Sequence, residues 1–207
     1  SARLSLGEGD TPIMRSRRIG PQAGLQNLYL KLEHGNVTGS YKDRFAFAAV
    51  SHMVANGQKK CIATSSGNTG AALAAYCAAA GIECRIAIVE GAPLGKLTQM
   101  MAYGAKIARI RKFGTDAATT TNVLARLQQL GQRPDSAMQI SAFVYSPLGM
   151  SGVQTMAQAL PSLTPPRSVS CFSGSVLVVP ASALALQCCW VVLVPVPVQG
   201  SPRSVPS

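Results

Sequence analysis

"KCIATSSGNTGAALAAYCAAAGIECRIAIVE", residues 60–90, carries a strand, a helix and a second strand in one unbroken run. "KCIATS" is short and mostly apolar and ends in small polar residues, the signature of a buried strand. The alanine-rich stretch over 69–80 favours helix, and "CRIAIVE" then reads as another strand. A strand, helix and strand joined this closely make a βαβ unit, whose strands run parallel. Its first joint, "SSGNTG", gathers hydroxyls, one amide and several backbone N–H groups at a helix N-terminus, which suits a carboxylate or phosphate. Gly67 and Gly70 allow the backbone close approach. An ordinary helix start, with Asn68 or Thr69 as N-cap, explains the same residues on their own.

The alternation continues on both sides of this run. "NLYLKLE" reads as a strand before a helix over 41–56, and a helix over 94–103 precedes the strand "AKIARI". A helix over roughly 116–130 and the short strand "MQIS" follow. The expected fold class is α/β, an open and mostly parallel sheet of βα units. Ligands of such sheets collect beyond the carboxyl ends of the strands. The loops at 38–42 and 64–70 are therefore expected to face one crevice, provided their strands are parallel neighbours.

The earlier loop belongs to "NVTGSYKDRFAFAA", residues 36–49, which places Lys42 where a helix begins. A cation there sits in an unfavourable field, with Arg44 close by in sequence. The position is poor for stability and suits a neutral amine, the form that attacks a carbonyl. A solvated, charged helix start is the alternative.

Composition narrows the partners. The chain is 47% apolar and 13% charged, with 19 Lys and Arg against 8 Asp and Glu and a net charge of +11. Apart from Arg15, Arg17 and Arg18 the basic residues are scattered, and no basic run is interleaved with aromatics, so nucleic acid is not expected as a partner. The six cysteines form no CxxC pair and have no histidine at zinc-ligand spacing, so no metal site is expected. Cys61, Cys77 and Cys84 fall in expected strands or helices and read as buried thiols of a reducing compartment. "SARLSLGEGDTPIMRSRR" has no apolar core of a secretory signal, and a cytoplasmic location is expected.

The texture changes late in the chain. After Asp135 there is no acidic residue and no lysine, and from Pro161 the sequence is rich in Ser, Val and Pro. Prolines at 180, 195, 197, 202 and 206 break any long element. The expected division is an α/β region over 1–160 and an irregular, low-complexity tail over 161–207 outside the native fold, as an out-of-frame translation would produce. The uncharged run 176–198 is long enough for a bilayer. Pro180, Gln187 and Pro195 and the lack of a flanking basic cluster argue against a membrane helix, and no membrane partner is expected.

"GSYKDR", then "SSGNTG" about twenty residues later, with "LGEGDTP" near the start, resembles threonine synthase and its relatives, the β-family (fold type II) pyridoxal-phosphate enzymes. "VEGAPLGKLTQMMAYGAKI" is similar to the family's next βα units, with Lys96 and Gln99 read as structural. The resemblance covers about residues 4–160 and implies pyridoxal 5'-phosphate as cofactor, held by Lys42 as a Schiff base. It implies that Asn68 bonds the ring hydroxyl and that Ser65, Ser66, Gly67 and Thr69 hold the substrate carboxylate. The implied function is a threonine synthase-like lyase performing elimination and replacement on an amino acid. A serine or threonine ammonia-lyase of the same fold and a non-catalytic truncated product are the alternatives. The chain departs from the family pattern in lacking the glycine-rich phosphate loop, since the tail has only isolated Gly174 and Gly200. No partner for the pyridine nitrogen is identifiable. "YSPLG", residues 145–149, stands where threonine synthases often carry Asn-Pro-His-Arg, with the arginine position near Gly149.

Overall fold

The structure, a computed structural model, describes residues 4–24, 26, 28–158 and 191–193. Its centre is a four-stranded parallel sheet in the order β5-β4-β3-β6, built from β3 (Lys60–Thr64), β4 (Glu83–Val89), β5 (Lys106–Ile110) and β6 (Ser136–Gln139). Helices connect these strands: α3 (Asn68–Ala80), α4 (Leu94–Ala102) and α5 (Ala117–Gly131). The fold is the expected α/β one.

Side-chain alternation along the strands makes two cores. Cys61 and Ala63 of β3 and Cys84, Ile86 and Ile88 of β4 face α3, α4 and α2 (Lys42–Ala55). Ile62 and Ala87 point the opposite way, onto Leu127 and Val123 of α5. α3 is buried from Thr69 to Cys77, apolar on every side, as a helix enclosed by its neighbours must be. Gly81 ends it in a left-handed conformation (φ 65°) that turns the chain straight into β4.

The strand before α2 departs from expectation. β2 (Tyr29–Lys31) does not join the parallel sheet but pairs antiparallel with β1 (Ile13–Arg15). The loops at 38–42 and 64–70 therefore do not follow neighbouring parallel strands, and that condition fails. β3 has β4 and β6 on its two sides, which leaves no edge for β2. On its other edge β2 pairs with β7 (Val191–Leu193), a β-branched run within the segment expected to be irregular. The expectation for the rest of 161–207 lies outside the described residues. Among the described residues no helix is long and apolar enough to cross a membrane.

α6 (Pro147–Gln158), which sequence patterning did not anticipate, packs on α2 through glycines. A Cβ on Gly152 would lie 2.2 Å from the Arg44 carbonyl oxygen, and one on Gly149 would lie 2.5 Å from Phe45. The backbone carbonyl cannot yield, so Gly152→Ala is expected to push the helices apart. It should cost about 1–3 kcal/mol net of the gain in helix propensity. Urea unfolding checks this, and an unchanged midpoint would contradict the packing.

Cys61, Cys77 and Cys84 are free, buried thiols whose sulfurs lie within 4.8 Å of one another. Sequence spacing gave no hint of this group because three separate elements assemble it. Three thiolates around a divalent ion would bury net negative charge among alanines and isoleucines, with no compensating cation in that cluster among the described residues. We read the cluster as core packing by small apolar side chains.

Candidate active site

Lys42 is the first residue of α2, and Tyr41 precedes it at the N-cap without a side-chain cap bond. The helix start is organised from below by buried polar contacts. Thr38 donates its backbone N–H to Asp43 at 2.7 Å and its hydroxyl to the same carboxylate. Burial pushes the Asp43 carboxyl above its ordinary range, against the pull of these two hydrogen bonds.

Arg44 grips Glu33 through two bonds of 2.9 Å and also donates to Thr155. Thr11 (2.6 Å) and Asn36 (2.9 Å) complete the shell around the same carboxylate, and Asn36 in turn accepts from the Gly9 amide. The "LGEGDTP" segment is thus fastened to the base of the lysine helix. Arg44, two residues from Lys42, has its charge paired with Glu33, the two side chains being 5% and 0% exposed.

Burial alone would raise the Glu33 carboxyl, but hydrogen bonds from Arg44, Thr11 and Asn36 hold it below its ordinary range. A depressed carboxyl favours the folded state above its unfolded value, and the benefit is lost as pH falls through the folded value. Arg44→Met should leave a buried carboxylate uncompensated, at a cost of about 3–5 kcal/mol. Urea titration at neutral pH measures it, and wild type should lose stability as acid titrates Glu33.

The second loop follows β3. Gly67 occupies the N-cap of α3 without a side-chain cap bond, so neither Asn68 nor Thr69 is the cap. Asn68 is the first residue of the helix and is half-buried. Ser65 accepts from the Gly67 amide at 3.3 Å and Ser66 from the Val89 amide at 3.4 Å, so both hydroxyls also brace the loop. Thr69 is buried and shares a 2.8 Å hydrogen bond with Ser141.

Ser141 joins the two loops. The Lys42 ammonium nitrogen donates to Ser141 Oγ at 3.2 Å and lies 4.5 Å from the centre of the Tyr41 ring. Among the described residues no ion pair engages Lys42. Lys42 and Thr69 are thereby brought to one place, while Ser65 and Ser66 stay with their own loop. Ser141 follows β6, the parallel neighbour of β3, so the meeting point lies beyond the carboxyl ends of adjacent strands. Sequence reasoning missed Ser141 by counting it into the strand "MQIS". Lys96 bonds Gln99, and Gln99 reaches the Thr38 carbonyl, which ties α4 to the lysine loop. A cavity of about 310 Å³ bounded by Glu8, Arg44 and Thr155 lies beside the Glu33 network and includes none of the loop residues.

A half-buried amine linked through one hydroxyl to a helix start that bears hydroxyls, an amide and free-ended N–H groups suits an aldehyde cofactor and a carboxylate ligand. Residues 4–187 match the family described as "Pyridoxal-phosphate dependent enzyme". The chain belongs to that family. The threonine synthase of Halalkalibacterium halodurans is 43% identical over 109 residues, which are 52% of this chain and 30% of that protein. The threonine synthase of Methanocaldococcus jannaschii is 40% identical over 124 residues, 59% of this chain and 31% of that protein. The chain thus spans about a third of the length of these curated relatives. Among solved structures, O-ureido-L-serine synthase superposes with a TM-score of 0.52 at 27% identity, covering 63% of this chain and 41% of that one. Serine racemase from Dictyostelium discoideum shares the fold, with a TM-score of 0.57 at 24% identity over 73% of this chain and 46% of that one. Pyridoxal phosphate is the cofactor of this family. The described residues fit its aldehyde end, and nothing among them forms a glycine-rich cup for its phosphate.

Proposed function

We propose that residues 1–160 carry the amine and carboxylate half of a threonine synthase-like lyase site, acting on a small amino-acid substrate by elimination and replacement. The observation that carries this reading is the contact of Lys42 and Thr69 with one hydroxyl, Ser141, at the carboxyl end of the parallel sheet. Lys42 is assigned as the attachment residue and Asn68 as the partner of the ring hydroxyl. Ser65, Ser66, Gly67 and Thr69 are assigned to the substrate carboxylate, where first-turn N–H groups of α3 favour negative charge. When bound, the cofactor supplies an electron sink for carbanion chemistry at the α-carbon. Lys42, once released, is the base placed to move the α-proton.

Serine or threonine ammonia-lyase chemistry is the second reading, and Gly149 favours it. That position packs so tightly on Phe45 that no arginine side chain fits it, which argues against a phosphorylated substrate. The lack of a phosphate cup among the described residues supports impaired cofactor retention in this chain, and 161–207, apart from β7, is read as outside the catalytic fold. The buried free thiols support a reducing, cytoplasmic location. The test is to incubate the purified chain with excess pyridoxal phosphate, reduce with borohydride and map the label. Capture concentrated at Lys42 supports the reading, and even labelling of exposed lysines refutes it.

A further inference from the structure

We propose that Cys61, Cys77 and Cys84 form a binding site for a trivalent, thiophilic metalloid of the arsenite class. The inference does not depend on the lysine site. The three thiols are free, and their sulfurs lie within 4.8 Å of one another. Cys61 and Cys84 stand directly opposite each other on the parallel strands β3 and β4, and Cys77 comes from the last turn of α3 in the same core. Sulfurs that share one ion through bonds of about 2.3 Å stand at most about 4.6 Å apart. The observed bound is close to that limit, and small turns about the Cα–Cβ bonds draw the sulfurs in.

Charge selects the ion. The three cysteines are 0–4% exposed and lie among alanines and isoleucines. Strand alternation turns the neighbouring Lys60, Glu83 and Arg85 to the other face of the sheet, where Lys60 pairs with Asp135 and Arg85 with Glu83. Three thiolates carry three negative charges, so a monovalent or divalent ion leaves net charge in an apolar core, which burial penalises strongly. A trivalent ion leaves none. Thiolates are soft ligands and favour a soft ion. A pyramidal, three-coordinate centre also asks for no fourth ligand from the alanines around it.

The binding step balances without redox chemistry. Arsenous acid exchanges three hydroxides for three sulfurs: three As–O bonds break, three As–S bonds form, and each thiol proton leaves with a hydroxide as water. Arsenic stays trivalent throughout. In the free protein the thiols pack the core; the bound ion ties α3 to β3 and β4. The sulfurs are enclosed, so the ion enters when α3 lifts from the sheet or when the chain folds around it.

The test uses the full chain carrying Cys171→Ser, Cys188→Ser and Cys189→Ser, so that the cluster holds its only thiols. This chain is refolded from urea with and without sodium arsenite, in a phosphine reductant. Native mass spectrometry should show one arsenic per chain. X-ray absorption should find three sulfur neighbours and no oxygen, and the urea midpoint should rise, because the ion favours the folded state. Cys77→Ala in the same background should weaken binding about tenfold or more, the equivalent of about 1.4 kcal/mol. It should also leave an oxygen on the arsenic. No bound arsenic, or an oxygen in the shell of the intact cluster, overturns the proposal. So does a midpoint that stays or falls, since the unfolded chain then holds the ion at least as well. Coordination and midpoint are read on the intact cluster, so the test stands even where Cys77→Ala fails to fold.

Discussion

Lys42→Ala is expected to abolish borohydride-stable labelling by pyridoxal phosphate at the site while leaving the fold intact. The amine is the only group of the described site able to form a reducible imine with an aldehyde, because Ser141 and Thr69, which it is linked to, carry hydroxyls. The substitution is mild for stability. Lys42 is half-buried at the first position of α2, makes no ion pair among the described residues, and stands where the helix field opposes a cation. Alanine is the better helix former there. The expected result is therefore complete loss of site labelling, with a urea midpoint equal to or above that of wild type. Residual stoichiometric capture in the variant would assign attachment to another lysine.

The chain is also expected to hold the cofactor at least a thousandfold more weakly than relatives with a glycine-rich phosphate loop. Such a loop offers several backbone N–H groups to a dianion, each charge-assisted bond contributing roughly 1.5–3 kcal/mol. Losing three of them removes about 5–9 kcal/mol, and about 1.4 kcal/mol is a factor of ten. The net charge of +11 attracts the dianion, but as steering that salt screens. Absorbance titration should give saturation only in the millimolar range, shifting little with moderate salt if attachment at Lys42 dominates. Stoichiometric binding at micromolar cofactor would mean that a phosphate site exists elsewhere in the chain.

The centre of the parallel sheet was legible because β3 and β4 are short, mostly apolar runs, each followed by a helical stretch. Period alone separates those two textures. The separate sheet of β1 and β2 was not, since a strand of three residues carries no mark of its partner. α6 was hidden by its two glycines, which argue against helix by propensity and are needed for contact with α2. Within the site, Lys42 and the 65–70 loop stood out because their residue types suit anion and carbonyl chemistry at helix starts. Ser141 has no such mark. Its role comes from the register that sets β6 beside β3, and a serine after a strand is otherwise commonplace. Glu33 and Arg44 escaped for a similar reason, being eleven positions apart on different elements.

The polar contacts beneath Lys42 also carry a timetable. Those that shape the start of its helix join residues separated by 5, 11, 22 and 27 positions. The hydroxyl that receives the amine is 99 positions further along. Short loops close sooner and at lower entropic cost than long ones. During synthesis these short-range contacts are thus able to close while most of the sheet is still to emerge, and only the bond from Arg44 to Thr155 must wait for α6. The segment after β6 that brings Ser141 comes late, so a half-made chain can close the contacts around the start of α2 before the partner of its lysine exists.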